Sequence, residues 1–368
     1  MSVGRPLARF TVDGSDALER RIAADVERIR DAAVSAVPRG DLTAVILGGG
    51  YGRGEGAVWR EGGLERVYND YDFFVVTPRA SRRYHKCVAE TLRAVGEQLE
   101  PAVGVHVDFG RPFPHSGLPH LPYELMLMEL KVGHVVLYGP PDILGSMPDY
   151  DPERVPLVEG ARLLMNRCVG LIQARMLLRK RRPLDTDERQ FTIRNTQKAM
   201  MAAGDAVLFV NKVYSPSYVR RAEIFEGLAL KGVPRGEQLR DRYREAIEFK
   251  LRPRHELPPG KDLSSWLEDS VALFGNVFLW FERQRLGEPS MGWDDYMARP
   301  RRLPAPGFPE SILNALRNLR AHATVLSGIR GVFLHPRDHI LKSAPRLLYG
   351  EGDVASEQAF FRLWSLYS

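Results

Sequence analysis

Ile46-Leu47-Gly48-Gly49-Gly50-Tyr51-Gly52-Arg53-Gly54-Glu55-Gly56 is followed, after a short interval, by Asn69-Asp70-Tyr71-Asp72-Phe73-Phe74-Val75-Val76. A short apolar strand enters a glycine-dense turn, and a second strand opens on a pair of aspartates. Glycine has no Cβ, so backbone amides in such a turn approach a phosphate closely. Strand alternation sets Asp70 and Asp72 on one face, with Tyr71 and Phe73 on the other. Two acids that close repel one another unless a cation neutralises them, and a hard oxygen donor set selects Mg²⁺ or Mn²⁺. Turn and acids together point to a metal-bound triphosphate.

A third acid, Asp108, stands in Val105-His106-Val107-Asp108-Phe109. An acid in an apolar strand is costly unless it is paired or liganded. Placed beside the Asp70/Asp72 strand, it makes a set of three carboxylates suited to two-metal phosphoryl transfer. His106 shares the face of Asp108 and reads either as its partner or as an ordinary hydrogen-bonded histidine.

Further out, apolar residues at helical spacing predict a helix over 16–37, stopped by Pro38-Arg39-Gly40. Strands are expected at 43–47, 71–76, 103–109 and 134–138, and helices at 82–99 and 123–131. Pro140-Pro141 and Met147-Pro148-Asp149-Tyr150-Asp151-Pro152 interrupt regular structure. Helical patterns then cover 158–181, 187–211, 216–227, 235–250 and 263–286. A proline-rich connection at 299–309 precedes a further helical stretch from Glu310. The fold class expected is α/β (α+β), a small mixed sheet in residues 1–150 followed by a mostly α-helical domain in 151–368.

Together these motifs resemble the DNA polymerase β-like nucleotidyltransferase superfamily over residues 40–140. Gly49-Gly50 matches the glycine pair of that family and Arg53-Gly54-Glu55 the step after it. Asp70 and Asp72 match its metal-binding pair, and Asp108 its third acid. The resemblance implies that the first domain is catalytic and that the helical domain binds substrate or nucleotide. It implies that the glycine pair contacts the triphosphate, that Asp70 and Asp72 bind both metals, and that Asp108 helps activate the acceptor hydroxyl. Candidate nucleotide-binding residues are Gly49, Gly50, Tyr51, Arg53 and Glu55. The expected reaction moves a nucleoside monophosphate from an NTP, ATP first, to an acceptor hydroxyl and releases pyrophosphate. A small-molecule acceptor, bound between the domains as in relatives that adenylylate antibiotics, is the preferred expectation. The alternatives are an RNA 3′ end or a non-catalytic nucleotide-binding module of the same fold. Two departures stand out: the interval from Gly50 to Asp70 is long, and Gly50 occupies a position where many relatives have serine. The extra loop, 56–68, reads either as a surface excursion or as a segment that touches the acceptor.

In the helical half, Arg194 and Lys198 are one helical turn apart and face either a cleft or solvent. The apolar run Ala199-Met200-Met201-Ala202-Ala203 favours Lys198 as a nucleotide ligand. Tyr214, Tyr218, Arg220 and Arg221 mix aromatic and basic character, which suits stacking on a base or packing at a helix end. Tyr214 is carried forward as a candidate for the base.

Rival motifs fail on context. Gly52-Arg53-Gly54-Glu55-Gly56-Ala57 spells a loose dinucleotide fingerprint, but a ribose-binding acid belongs after its strand's apolar run, and Asp70 and Asp72 precede theirs. Asp108-Phe109-Gly110 spells a kinase motif without the catalytic-loop sequence before it, and the glycine turn contains no P-loop lysine. With 368 residues the chain has room for about two domains. The net charge of +6 is spread along the chain, its densest cluster being Arg179-Lys180-Arg181-Arg182. Cys87 and Cys168 are far apart in no zinc-like spacing, and the first residues lack a signal-peptide run. A cytoplasmic protein without a membrane span is the expectation.

Overall fold

A computed structural model of the chain describes residues 9–180, 182–257, 260–298, 303, 307–320, 333–350 and 354–366. Most of the connection expected at 299–309, and Arg181 of the basic cluster, lie outside these residues. The molecule is mixed α/β, with a small mixed sheet and many helices. Its internal packing separates two units. One comprises Met1–Arg154 with Ser215–Arg221 and Ile247–Arg254, and the other Val155–Tyr214, Ala222–Ala246 and His255–Ser368.

In the first unit, helix α1 (Asp16–Ala36) starts where Ser15 accepts a hydrogen bond from the Leu18 amide. Asp16 and Glu19 in its first turn suit the positive end of the helix dipole. Strand β1 (Ala44–Leu47), the one-turn helix α2 (Gly49–Gly52), the strands β2 (Val58–Glu61) and β3 (Leu64–Val67), and strand β4 (Tyr71–Thr77) follow. Next come helix α3 (Arg82–Val103), strands β5 (Val107–Phe109) and β6 (Phe113–Pro114), helix α4 (Leu125–Val132) and strand β7 (Val135–Tyr138). The main sheet has the order β5-β4-β1-β7. Strand β1 is antiparallel to β4 and β7, whereas β5 and β6 pair in parallel with successive parts of β4. A parallel pair needs a crossover, and α3 supplies it between β4 and β5. Val45, Leu47, Phe73, Val75, Val107 and Phe109 alternate onto one sheet face and join α1 and α3 in a single core.

The strand expected from 103 starts only at Val107. Val95 and Val103 keep their helical spacing and are buried, so α3 continues to Val103 and ends at Gly104, whose φ of 81° is the left-handed C-terminal conformation. The long interval before Asp70 is a hairpin: β2 and β3 pair antiparallel around Gly62-Gly63, whose φ values of 58° and 80° fit a tight two-residue turn. Glu65 accepts from the Ser15 amide, and Arg60 pairs with Asp13 and Glu65, so the hairpin clips the start of α1.

The second unit is built on α5 (Leu157–Leu178), α6 (Thr186–Asn211) and α9 (Leu263–Leu286). Helix α6 opens on a capping box: the Asp185 carboxylate accepts from the Glu188 amide, and the Glu188 carboxylate accepts from the Asp185 amide. The small residues after Lys198 serve helix packing: Ala199, Ala202 and Ala203 are buried, and the Tyr243 ring lies against Gly204 while its hydroxyl donates to Asp205 at 2.7 Å. Helices α7 (Tyr218–Gly227) and α8 (Gly236–Leu251) each contribute a few residues to the first unit. In the basic cluster, Arg179 pairs with Glu357, and Lys180 and Arg182 pair with Glu188. No helix among the described residues is long and apolar enough to cross a membrane.

Candidate functional site

The chain leaves β1 through a turn that only glycine can make. Gly49 has φ of +60°, and a Cβ built on it would overlap Oδ2 of Asp72. The amide of Gly48 donates to the Asp72 carbonyl at 2.8 Å, so the turn begins directly beside the acid. Tyr51 points into the core rather than toward a ligand. Its hydroxyl donates to the Ala57 carbonyl at 2.9 Å and accepts from the Tyr68 amide at 3.1 Å, clasping the two ends of the hairpin insertion. The hydroxyl that enters β4 at Tyr71 likewise reaches Asp25 on α1.

Asp72 and Asp108 are register partners across the parallel β4–β5 pair. Their neighbours Tyr71, Phe73, Val107 and Phe109 are buried, so alternation turns both acids to the opposite face. Asp70, just ahead of β4, is exposed. Burial pushes the Asp72 carboxyl up to about 6, helped by Asp70 and Asp108 and opposed by Lys250 and Arg53. Burial also raises Asp108, opposed by His106 and helped by Asp70. The three carboxylates therefore feel one another's charge. His106 is turned to Glu100, which its Nδ1 contacts.

Asp72 and Asp108 line a cavity of about 230 Å³ together with Gly49, Gly50, Arg53 and Lys250. Its cationic side is organised around Tyr218. Arg53, Arg221 and Lys250 stand over that ring at 5.1, 4.4 and 5.4 Å from its centroid. Glu129 holds the two guanidinium groups, 3.3 Å from Arg53 and 3.5 Å from Arg221. Glu55 does not line the cavity surface. Its buried carboxylate accepts from the Ser217 hydroxyl at 2.6 Å and from the Tyr218 and Val219 amides at 2.8 and 3.1 Å, securing the start of α7. The Arg-Gly-Glu step thus divides its work: Arg53 faces the cavity and Glu55 positions Tyr218.

Lys198 and Tyr214 belong to the second unit. Lys198 is half-buried on α6, and Tyr214 is buried with its ring 4.7 Å from that of Phe209. Sequence reading passed over Lys250 and Glu129. Lys250 sits in the last turn of α8, where a cation is ordinary. Glu129 did carry a signal, because it breaks the apolar run of α4.

Comparison of the chain with family models, with curated proteins and with solved structures gave no match.

Among the described residues, no three metal-ligating side chains are gathered into a ready cage. Mg²⁺ does not require one, since it keeps several waters and is commonly held by one or two carboxylates plus substrate phosphates. Mutually repelling oxygen donors, one of them desolvated, fit that kind of site. The arrangement sets the carboxylates of Asp72 and Asp108 in one cavity with two cations, Arg53 and Lys250, and the Cβ-free backbone of Gly49 and Gly50.

Proposed function

We propose that the chain is a metal-dependent nucleotidyltransferase that moves a nucleoside monophosphate from an NTP, ATP first, to the hydroxyl of a small molecule. The observation that carries this reading is the pairing of Asp72 with Asp108 beside the Gly49 turn, in a cavity that also presents Arg53 and Lys250. The resemblance of the motifs to the polymerase β-like superfamily supports it. Asp70 and Asp72, with Asp108, would hold Mg²⁺ or Mn²⁺. When bound, the metal supplies charge neutralisation for the phosphates and acidifies the attacking hydroxyl.

The protein's own contributions follow from placement. Arg53 and Lys250 meet the phosphate charge, Arg53 fixed in direction by Glu129. Gly49 and Gly50 let the chain approach the phosphates without side-chain obstruction. Asp108 accepts the proton of the acceptor hydroxyl, whose oxygen bonds to the α-phosphorus as the bond to the β-phosphate bridging oxygen breaks and pyrophosphate leaves. A small acceptor is preferred over an RNA 3′ end because the described cations of the densest basic cluster are ion-paired within the chain.

The test is incubation with each α-labelled NTP, Mg²⁺ and a cell extract. Pyrophosphate release with label on a small metabolite is expected. Unchanged turnover in the double variant Asp70→Ala, Asp72→Ala would refute the mechanism. Nucleotide binding without pyrophosphate release would instead indicate a non-catalytic module. Transfer that collapses with added salt would indicate RNA.

A further inference from the structure

Tyr218 lines the cavity of Asp72 and Asp108 and is only 7% exposed. A tyrosine buried to that degree ordinarily gives its hydroxyl to a protein acceptor. Tyr51, Tyr71, Tyr150 and Tyr243 all do so, to the Ala57 carbonyl, to Asp25, to the Leu121 and Pro122 carbonyls and to Asp205. Tyr218 differs: among the described residues its hydroxyl meets no hydrogen-bond partner, and it is not closed off from solvent.

The surroundings of the ring explain why. Arg53, Arg221 and Lys250 stand over it, and arginine and lysine side chains offer donors but no acceptor. The carboxylate of this group, Glu129, is engaged by the two guanidinium groups. With cations over the ring, what remains for a ligand is its edge and the hydroxyl. The hydroxyl proton is therefore left for an acceptor that the ligand brings.

The donor is also fixed in place beforehand. The Tyr218 amide donates to Glu55 at 2.8 Å, which anchors the residue at the start of α7, and the buried Arg221 stands 4.4 Å from the ring centroid. A donor held in this way needs no reorganisation during the reaction, and it is worth most where negative charge develops. In nucleotidyl transfer charge develops on the departing pyrophosphate. That group belongs on the side of Arg53 and Lys250, the cations that share the Tyr218 ring, whereas Asp108 serves the attacking hydroxyl.

We propose that Tyr218 is a further catalytic residue, its hydroxyl donating a hydrogen bond to the pyrophosphate as that group leaves. When the bond from the α-phosphorus to the bridging oxygen breaks, its electron pair passes to pyrophosphate. The phenol keeps its proton and stabilises the new charge through the hydrogen bond. The inference rests on the transferase reading.

Tyr218→Phe keeps the ring beneath the cations and removes only a hydroxyl that has no partner in the fold. The assay supplies α-labelled ATP and Mg²⁺ with the low-molecular-mass fraction of a cell extract. Label transfer is expected to fall about a hundredfold, while the ATP dissociation constant and the melting temperature hold. ATP analogues bridged by methylene or difluoromethylene between the β- and γ-phosphorus supply a readout that a structural role would not move. The methylene analogue has the more basic leaving group and gains more from a donor, so Tyr218→Phe should slow it more than the difluoromethylene analogue. Transfer at the parental rate, or equal slowing of both analogues, overturns the role of the hydroxyl and leaves the transferase reading in place. A loss of ATP affinity that accounts for the whole fall in rate does the same, because the hydroxyl would then act on the ground state alone. A wild-type protein that releases no pyrophosphate with the low-molecular-mass or the RNA fraction overturns the transferase reading, and the role of Tyr218 with it.

Discussion

Gly49 and Asp72 occupy the same few cubic ångströms: the carboxylate of Asp72 fills the space that any side chain at Gly49 would need. The glycine turn and the aspartate strand, separated in sequence by a whole hairpin, are therefore one structural device. Its backbone half is secured by the bond from the Gly48 amide to the Asp72 carbonyl. Its carboxylate half is turned outward by the burial of Tyr71 and Phe73 on either side.

Gly49→Ala should be more damaging than an equally strained substitution elsewhere. Left-handed backbone costs an ordinary residue about 1–2 kcal/mol. At Gly62, with φ of +58° and open space around a Cβ, that is the whole penalty. At Gly49 the overlap with Asp72 adds to it. Urea denaturation should show Gly49→Ala losing more stability than Gly62→Ala, and only Gly49→Ala should lose nucleotide binding. Equal losses in the two variants would mean that Asp72 does not press on the turn.

Asp72 makes stability depend on pH in the unusual direction for an acid. Its folded-state value, about 6, lies above the ordinary 3.8, so between these values the folded state binds more protons than the unfolded one. Stability is then lost as pH rises through that window, and the full cost, on the order of 1–3 kcal/mol, is present above it. In a chelator-treated sample, Asp72→Asn should raise the melting temperature near pH 8 and leave it almost unchanged near pH 4. The same variant should lose metal-dependent pyrophosphate release, which separates the benefit to folding from the need of the chemistry.

What sequence could disclose about this site follows the range of the interactions. The glycine turn, the alternation of Asp70 and Asp72, and the acid in β5 are local patterns, and local patterns carry a fixed period. The expected 103–109 strand loses its first residue to α3, which keeps its buried spacing as far as Val103 and ends at Gly104, so that the strand starts only at Val107. Glu55 reads as a phosphate neighbour from the motif, yet its carboxylate meets the Ser217 hydroxyl and the Tyr218 and Val219 amides, far along the chain. Lys250 and Tyr218 reach the cavity only because that same long-range contact, and the packing of Phe249 against Tyr68, join two helical segments to the sheet unit. No periodicity in one sequence encodes such a meeting.

Glu55→Gln tests this long-range contact. It retains the side chain's size but replaces an acceptor with a donor facing two backbone amides and a hydroxyl. Loss of charge-assisted bonds at a buried group costs about 1.5–3 kcal/mol. Arg60→Ala, at a partly exposed ion pair on the hairpin, should cost at most about 1 kcal/mol. Chemical denaturation ranks the two, and nucleotide titration should show weaker binding only for Glu55→Gln, through displacement of Tyr218. A Glu55→Gln protein as stable as the parent would remove Glu55 from the account of how the cavity is held.

Lys250 offers the sharpest separation of phosphate recognition from general integrity. It lines the cavity, stands over the Tyr218 ring at 5.4 Å and opposes the upward shift of Asp72. A cation that meets the outer phosphates contributes to binding in proportion to the negative charge it faces, and charge-assisted bonds are worth about 1.5–3 kcal/mol each. Lys250→Met retains the apolar stem over the ring while removing the ammonium. Its affinity for ATP should fall about tenfold or more, that for ADP less, and that for AMP little, when calorimetric titrations are run with Mg²⁺ at one salt concentration. Lys250→Arg should recover part of the loss, because it restores charge with a different fork. Equal losses for ATP and AMP would instead assign Lys250 to the packing of Tyr218, and would leave Arg53 as the cation aimed at the triphosphate.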